Sequence, residues 1–209
     1  SAPGLWKLPS RTHPGKFLKM SVYVDDNLAT GPDLDELRTE LNNIFSQAPG
    51  REIDVESIPT PWGTVWQQFD FLGAIVYYCR EARTFRLTME VYIDKILKKY
   101  DITVGKPVNS PNFDESALLE EGIKKVEGYP FREVVGALLW VAVTARPDIS
   151  VPVAALARHV SKPTSMRMVN ACKKVLKYLG TTRMEGLEYS PEKEEEFNRI
   201  YSKLLPEGR

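Results

Sequence analysis

Apolar and polar positions alternate from Met20 to Val24, with Met20, Val22 and Val24 set against Ser21 and Tyr23, and that period of two predicts a half-buried strand. Asp25-Asp26-Asn27 supplies turn chemistry, and Leu28-Ala29-Thr30 runs back until Gly31-Pro32 stops it. Residues 19–31 therefore read as a hairpin with two adjacent carboxylates at its tip. The period then becomes helical: Pro32 suits a first helical position, Asp33, Asp35 and Glu36 suit the positive end of the dipole, and Leu34, Leu37, Leu41 and Ile44 or Phe45 form one stripe. Ala48-Pro49-Gly50 ends this helix, and an irregular connection reaches Gly63.

Gln68 to Tyr78, rich in aromatic and β-branched residues, and Arg83 to Leu87 predict a second hairpin across Cys79-Arg80-Glu81-Ala82. Thr88 is a suitable N-cap for a helix whose apolar stripe, Val91, Ile93, Ile96, Leu97 and Tyr100, opposes Lys95, Lys98 and Lys99. A loop over 101–128 follows, with a helical turn near Ser116 to Leu119. Pro130 to Ala145 is apolar nearly all round and reads as a buried helix; Arg146-Pro147-Asp148 breaks it, and Ile149 to Val160 resumes helix. After Pro163, Val169, Cys172, Val175, Leu176 and Leu179 face a core while Arg167, Lys173, Lys174 and Lys177 point outward, with Gly180 as the stop. Gly186 to Ser190 reads as a short strand, and Glu192 to Arg209 as a charged tail. Pro3, Gly4, Pro9, Pro14 and Gly15 leave residues 1–16 as a loop or extended arm.

Composition narrows the function classes. Lys plus Arg and Asp plus Glu number 28 each among 209 residues, so a nucleic-acid surface must come from local segregation of charge. Cys79 and Cys172 are too isolated for a metal knuckle or a disulfide framework, and they fit a reducing compartment. The apolar run from Val134 to Ala145 is too short for a bilayer and no apolar leader core is present, so the expectation is a cytoplasmic or nuclear protein, not secreted and with no membrane partner. His13 and His159 stand far apart and the serines have no local base, which excludes nucleophilic hydrolysis.

By residue type alone, Asp25-Asp26 reads two ways: as an ordinary turn, or as a pair of hard oxygen donors for Mg²⁺, whose coordination substrate phosphates complete. Likewise the lysine rows are either solvated faces of amphipathic helices or contacts for a nucleic-acid backbone.

Tyr23-Val24-Asp25-Asp26 resembles the YVDD box of reverse transcriptases, and the following stretches resemble the Ty1/copia class of retrotransposon polymerases, in that family's order. They are Phe71-Leu72-Gly73, Tyr92 to Tyr100, Lys106-Pro107-Val108-Asn109-Ser110-Pro111, Phe131 to Trp140, Thr144-Ala145-Arg146-Pro147-Asp148-Ile149 and Lys173 to Thr181. The resemblance covers roughly Lys19 to Tyr189. It departs from the family between Phe45 and Phe69, which is long and Pro-rich and lacks an Asp-Leu-Gly box, and near Met168, where the family often has His.

The resemblance implies an α+β chain: an irregular arm over 1–18, a partial palm with two hairpins over 19–88, a helical thumb-like region over 89–190, and a charged tail over 191–209. It implies RNA-directed DNA synthesis in the complete protein, with Asp25 and Asp26 as catalytic ligands of Mg²⁺ or Mn²⁺. Tyr23, Val24, Phe71, Leu72 and Gly73 would position the primer, and Lys95, Lys98, Lys99, Lys173, Lys174 and Lys177 would contact the backbone of an RNA/DNA primer–template duplex. The family's third carboxylate lies upstream, and residues 1–18 contain no Asp or Glu, so the expectation is a fragment that binds metal weakly, is inactive alone and needs an upstream polymerase portion as partner. Two alternatives stay open, both non-catalytic: a nucleic-acid-binding remnant and a protein-interaction remnant.

Overall fold

A computed structural model of the chain describes residues 4–23, 26–44, 56–59, 65–118 and 126–202. The fold is α+β, and the chain divides into two compact units, Ser1–Val55 and Glu56–Arg209. The division falls between the two sheets rather than after the second hairpin at residue 88.

The first unit holds strands β1 (Leu5–Pro9), β2 (Phe17–Tyr23) and β3 (Asp26–Thr30) in an antiparallel sheet of that order, then helix α1 (Leu34–Ile44). The N-terminal arm thus contributes a strand, in register Leu5↔Ser21 to Pro9↔Phe17. Gly4 makes this pairing possible: at φ +86° its carbonyl accepts from Val22 N at 2.7 Å, and a β-carbon there would stand 2.6 Å from Val22 O. Helix α1 begins two residues later than Pro32 predicts, because Asp33 is the cap: its Oδ1 accepts from the Asp35 and Glu36 amides at 3.1 Å each. Among the described residues of this unit, Leu18 and Leu37 are the buried apolar ones.

In the second unit β4 (Glu56–Pro59), β5 (Val65–Phe71), β6 (Ala74–Cys79), β7 (Thr84–Thr88) and β8 (Gly186–Tyr189) form a five-stranded antiparallel sheet in that order. The single run expected over Gln68–Tyr78 is therefore two strands. Leu72 (φ +53°) and Gly73 (φ +74°) turn the chain between them, and such a two-residue left-handed turn matches strand twist. Strand β8 reaches β7 from beyond the helices, with Arg86 and Glu188 paired both in register and as ions.

Helices α2 (Glu90–Lys99), α3 (Phe131–Thr144), α4 (Ser150–Ala157) and α5 (Met166–Thr181) build the main core around Met89, Ile93, Val134, Leu138, Val141, Ile149, Leu156, Val175 and Leu179; α6 (Pro191–Tyr201) follows β8 and buries no residue. Thr88, expected as the α2 cap, instead donates to Glu90 Oε2, while Tyr77 donates to Glu90 Oε1 at 2.6 Å, so this buried carboxylate is satisfied. Helix α5 is capped by Ser165, whose Oγ accepts from Met168 N at 3.2 Å, and runs through Gly180 to Thr181. Gly180 is thus a point of close approach rather than a stop: a β-carbon there would lie 2.3 Å from Val104 Cγ2 and 3.0 Å from Leu97 Cδ1.

Candidate functional site

The acidic hairpin forms where the alternating pattern places it. Strands β2 and β3 pair from Lys19↔Thr30 to Tyr23↔Asp26, so Asp26 and Asn27 belong to the returning strand rather than to the turn. Val24 and Asp25, which connect the last pair, lie outside the described residues, as do the side chains of Tyr23, Asp26 and Asn27. Among the described residues no group of three or more His, Cys, Asp or Glu side chains could hold a metal ion. The Tyr23-Val24-Asp25-Asp26 box itself supplies two carboxylates, of the right hard-oxygen kind but fewer than a two-metal site requires.

The primer-positioning candidates Phe71, Leu72 and Gly73 close the β5–β6 hairpin, Phe71 and Leu72 half-buried and Gly73 exposed. That hairpin belongs to the second unit and the acidic hairpin to the first.

The six candidate lysines are all exposed, on two helices, α2 and α5, that pack against each other. Two have local partners: Lys99 Nζ stands 2.5 Å from Glu133 Oε1, and Lys174 Nζ donates to Asn112 O at 2.5 Å. Lys95, Lys98, Lys173 and Lys177 have no partner among the described residues and are free to meet an external anion.

Helix α3 corrects the sequence reading. Phe131, Val134, Val135, Leu138, Val141 and Ala142 are buried, yet Leu139, Trp140 and Val143 are exposed, Val143 by 75%, and Gly136 lies on the same stripe. An apolar-all-round pattern tells that a helix is apolar, not which side is covered. The spacing 136, 139, 140, 143 was the available signal, and it becomes visible only once the opposite side is known to meet the core.

Arg146, read above as part of a helix break and of one resembling stretch, ties that break to the end of α5. Its guanidinium is 1% exposed; Nε donates to Asp148 Oδ1 at 2.9 Å and Nη2 to Asp148 Oδ2 at 2.7 Å. Nη1 and Nη2 also donate to the carbonyl and hydroxyl of Thr182, at 2.9 and 2.7 Å, and Tyr178 donates to Asp148 Oδ2 at 2.8 Å. Burial alone would raise the Asp148 pKa, but the hydrogen bonds from Arg146 and Tyr178 outweigh it and hold the carboxyl below its ordinary value. The role is structural, since each of the three guanidinium nitrogens donates inside the fold.

No family model matches the chain, and no solved structure matches it. Curated relatives do. The chain is 29% identical over 174 residues to a transposon Ty5-1 protein of Saccharomyces cerevisiae, covering 81% of this chain and 51% of that protein. It is 31% identical over 172 residues to the retrovirus-related Pol polyprotein from transposon RE1 of Arabidopsis thaliana, covering 80% of this chain and 10% of the polyprotein. The corresponding polyprotein from transposon TNT 1-94 of Nicotiana tabacum is 26% identical over 182 residues, or 79% of this chain and 12% of its own length. The chain thus spans about half of the yeast relative and about a tenth of the plant polyproteins. These similarities support a retrotransposon polyprotein origin. No helix among the described residues is long and apolar enough to cross a membrane.

Proposed function

We propose that the chain is a fragment of a copia-type RNA-directed DNA polymerase whose helical unit grips a primer–template duplex, and which does not polymerise by itself. The observation that carries this reading is the Tyr23-Val24-Asp25-Asp26 box at the closed end of a paired hairpin, in a chain similar over four-fifths of its length to retrotransposon Pol polyproteins. In the complete protein Asp25 and Asp26 would hold Mg²⁺, which would activate a primer hydroxyl and stabilise the leaving pyrophosphate. A box that brings only two carboxylates is the reason to expect no synthesis by this chain alone.

Two features support duplex binding. The unpaired ammonium groups of Lys95, Lys98, Lys173 and Lys177 can replace counterions along a phosphate backbone. Gly136, in mid-helix, would have no described heavy atom within 4 Å of an added β-carbon, so packing inside the described residues does not require glycine, although glycine there costs about 1 kcal/mol relative to alanine. With exposed Trp140 one turn on and exposed Arg132 one turn back, this stripe suits a duplex groove that approaches the helix backbone closely. The apolar character of Leu139, Trp140 and Val143 favours a second reading, a protein-docking face.

The deciding experiment is primer extension on primed RNA with Mg²⁺ and deoxynucleotides, with duplex binding measured alongside, for this chain and its Asp25→Asn variant. Binding that weakens steeply with salt, without extension, is expected from both. No binding at low salt would remove the nucleic-acid reading and leave the protein-docking one. Extension lost in the variant would show that a third ligand is supplied and that the fragment is an enzyme.

A further inference from the structure

The register of the first sheet sets Lys7 directly opposite Lys19 on neighbouring antiparallel strands. Cross-strand partners share a face, with β-carbons about 5 Å apart, and like charges placed so are destabilising. Both side chains are exposed, and neither has a carboxylate partner among the described residues. What Lys7 has instead is the ring of Phe17, its Nζ standing 3.8 Å above the ring centroid. The same face carries Leu5 and Phe17, exposed by 54% and 40%, and Thr30 paired to Lys19. Leu18, on the opposite face by alternation, is buried. The result is an open surface with two positive charges side by side, unneutralised among the described residues, and an aromatic ring beside them.

We propose that Lys7 and Lys19 together hold one backbone phosphate of a nucleic-acid strand lying over this sheet toward the acidic hairpin, a contact that rests on the polymerase reading above. A single anion between the two ammonium groups turns their mutual repulsion into two attractions. A lysine is apt here because a compact charge on a flexible stem can follow a phosphate without fixed geometry. Phe17 holds the Lys7 ammonium over one face of its ring and, 40% exposed, leaves the rest of the ring to meet an adjacent sugar or base. Lys19 precedes Tyr23 by four strand residues, so the phosphate sits roughly 14 Å from the closed end of the hairpin. Charge selects the occupant: the exposed basic pair asks for an anionic polymer, and the ring beside it favours one that carries flat bases.

The test compares the full chain with Lys7→Gln/Lys19→Gln and Lys7→Arg/Lys19→Arg, measuring binding of a labelled primer–template duplex from low to moderate salt, with poly-glutamate as competitor. The Gln variant should bind about tenfold more weakly, with the slope of log affinity against log salt shallower by about 1, while the Arg variant keeps wild-type binding. The Gln variant should melt no lower than wild type, because it loses a like-charge pair, so weaker binding cannot be blamed on unfolding. Unchanged affinity and slope in the Gln variant, with weakened binding in a Lys95, Lys98, Lys173, Lys177→Gln variant, would overturn the proposal and spare the polymerase reading. Poly-glutamate displacing the duplex at matched charge would overturn it in favour of an acidic protein partner. No duplex binding by the wild type would overturn both.

Discussion

Arg146 and Asp148 face each other fork to fork, Nε to Oδ1 at 2.9 Å and Nη2 to Oδ2 at 2.7 Å, and the same guanidinium reaches across to Thr182 at the far end of α5. A short break between α3 and α4 is thereby tied to a residue 36 positions later. Arg146 is 1% exposed, so its charge depends on these partners for what water would otherwise give it.

Arg146→Lys should destabilise the helical unit by about 3 kcal/mol in urea unfolding, because an ammonium cannot reproduce the bidentate fork or reach Thr182 with two further donors. Asp148→Asn should cost less, since Asp148 is 37% exposed and water replaces part of what is lost. The Asp148 carboxyl is held below its ordinary value, so its contribution is present in full above the ordinary carboxylate range and is lost as acid protonates it. Equal stability of wild type and Arg146→Lys at pH 7 would refute this account.

Two helix glycines should respond in opposite directions. Gly180→Ala forces a β-carbon against Val104 and Leu97, and overpacking of this kind costs roughly 1–3 kcal/mol, against a helix-propensity gain of about 1 kcal/mol. Adding Val104→Ala should restore part of the loss. Gly136→Ala meets open space and should raise stability by up to about 1 kcal/mol while weakening duplex binding. Thermal melts and a binding titration on the same samples check both; a stabilised Gly136→Ala with unchanged affinity would remove α3 from the proposed duplex surface.

His159 should make the helical unit sensitive to mild acid. The residue is 4% exposed and neither ring nitrogen has a hydrogen-bond partner among the described residues. Burial first, and then the nearby charges of Lys162 and Arg158, push its pKa below the ordinary 6.5, with Glu115 opposing them. The fold therefore prefers the neutral ring. Stability attributable to it is complete above pH 6.5 and falls as the pH drops through 6.5 toward the lowered folded value. Melting temperatures from pH 8 to pH 5 should decline more for wild type than for His159→Gln; parallel profiles would show that the ring finds solvent or a partner when protonated.

Strand alternation, helical stripes and turn residues act over a few positions, and those features could be read directly. Met20 and Val22 announced β2, and the apolar stripes announced α2, which packs through Ile93, Ile96 and Leu97 while Val91 stays exposed, and α5, which packs through Val169, Cys172, Val175, Leu176 and Leu179. The β2–β3 hairpin was legible because a hairpin depends on its own turn and little else. Other features required the tertiary structure, since each turns on a partner distant in sequence. No local pattern says that Gly186–Tyr189 will complete a sheet begun before residue 90, because register between distant strands is set by packing rather than by spacing. Arg146 looks like a helix breaker until Thr182 and Tyr178 arrive beside it, and Gly180 looks like a stop until Val104 lies against it. The apolar girdle of α3 fixed only that a helix would bury one side. Which side stayed open to Trp140 and Val143 was decided by where the other helices docked, and the opposition of Lys7 to Lys19 by the register of a strand that the prolines and glycines of its arm had disguised.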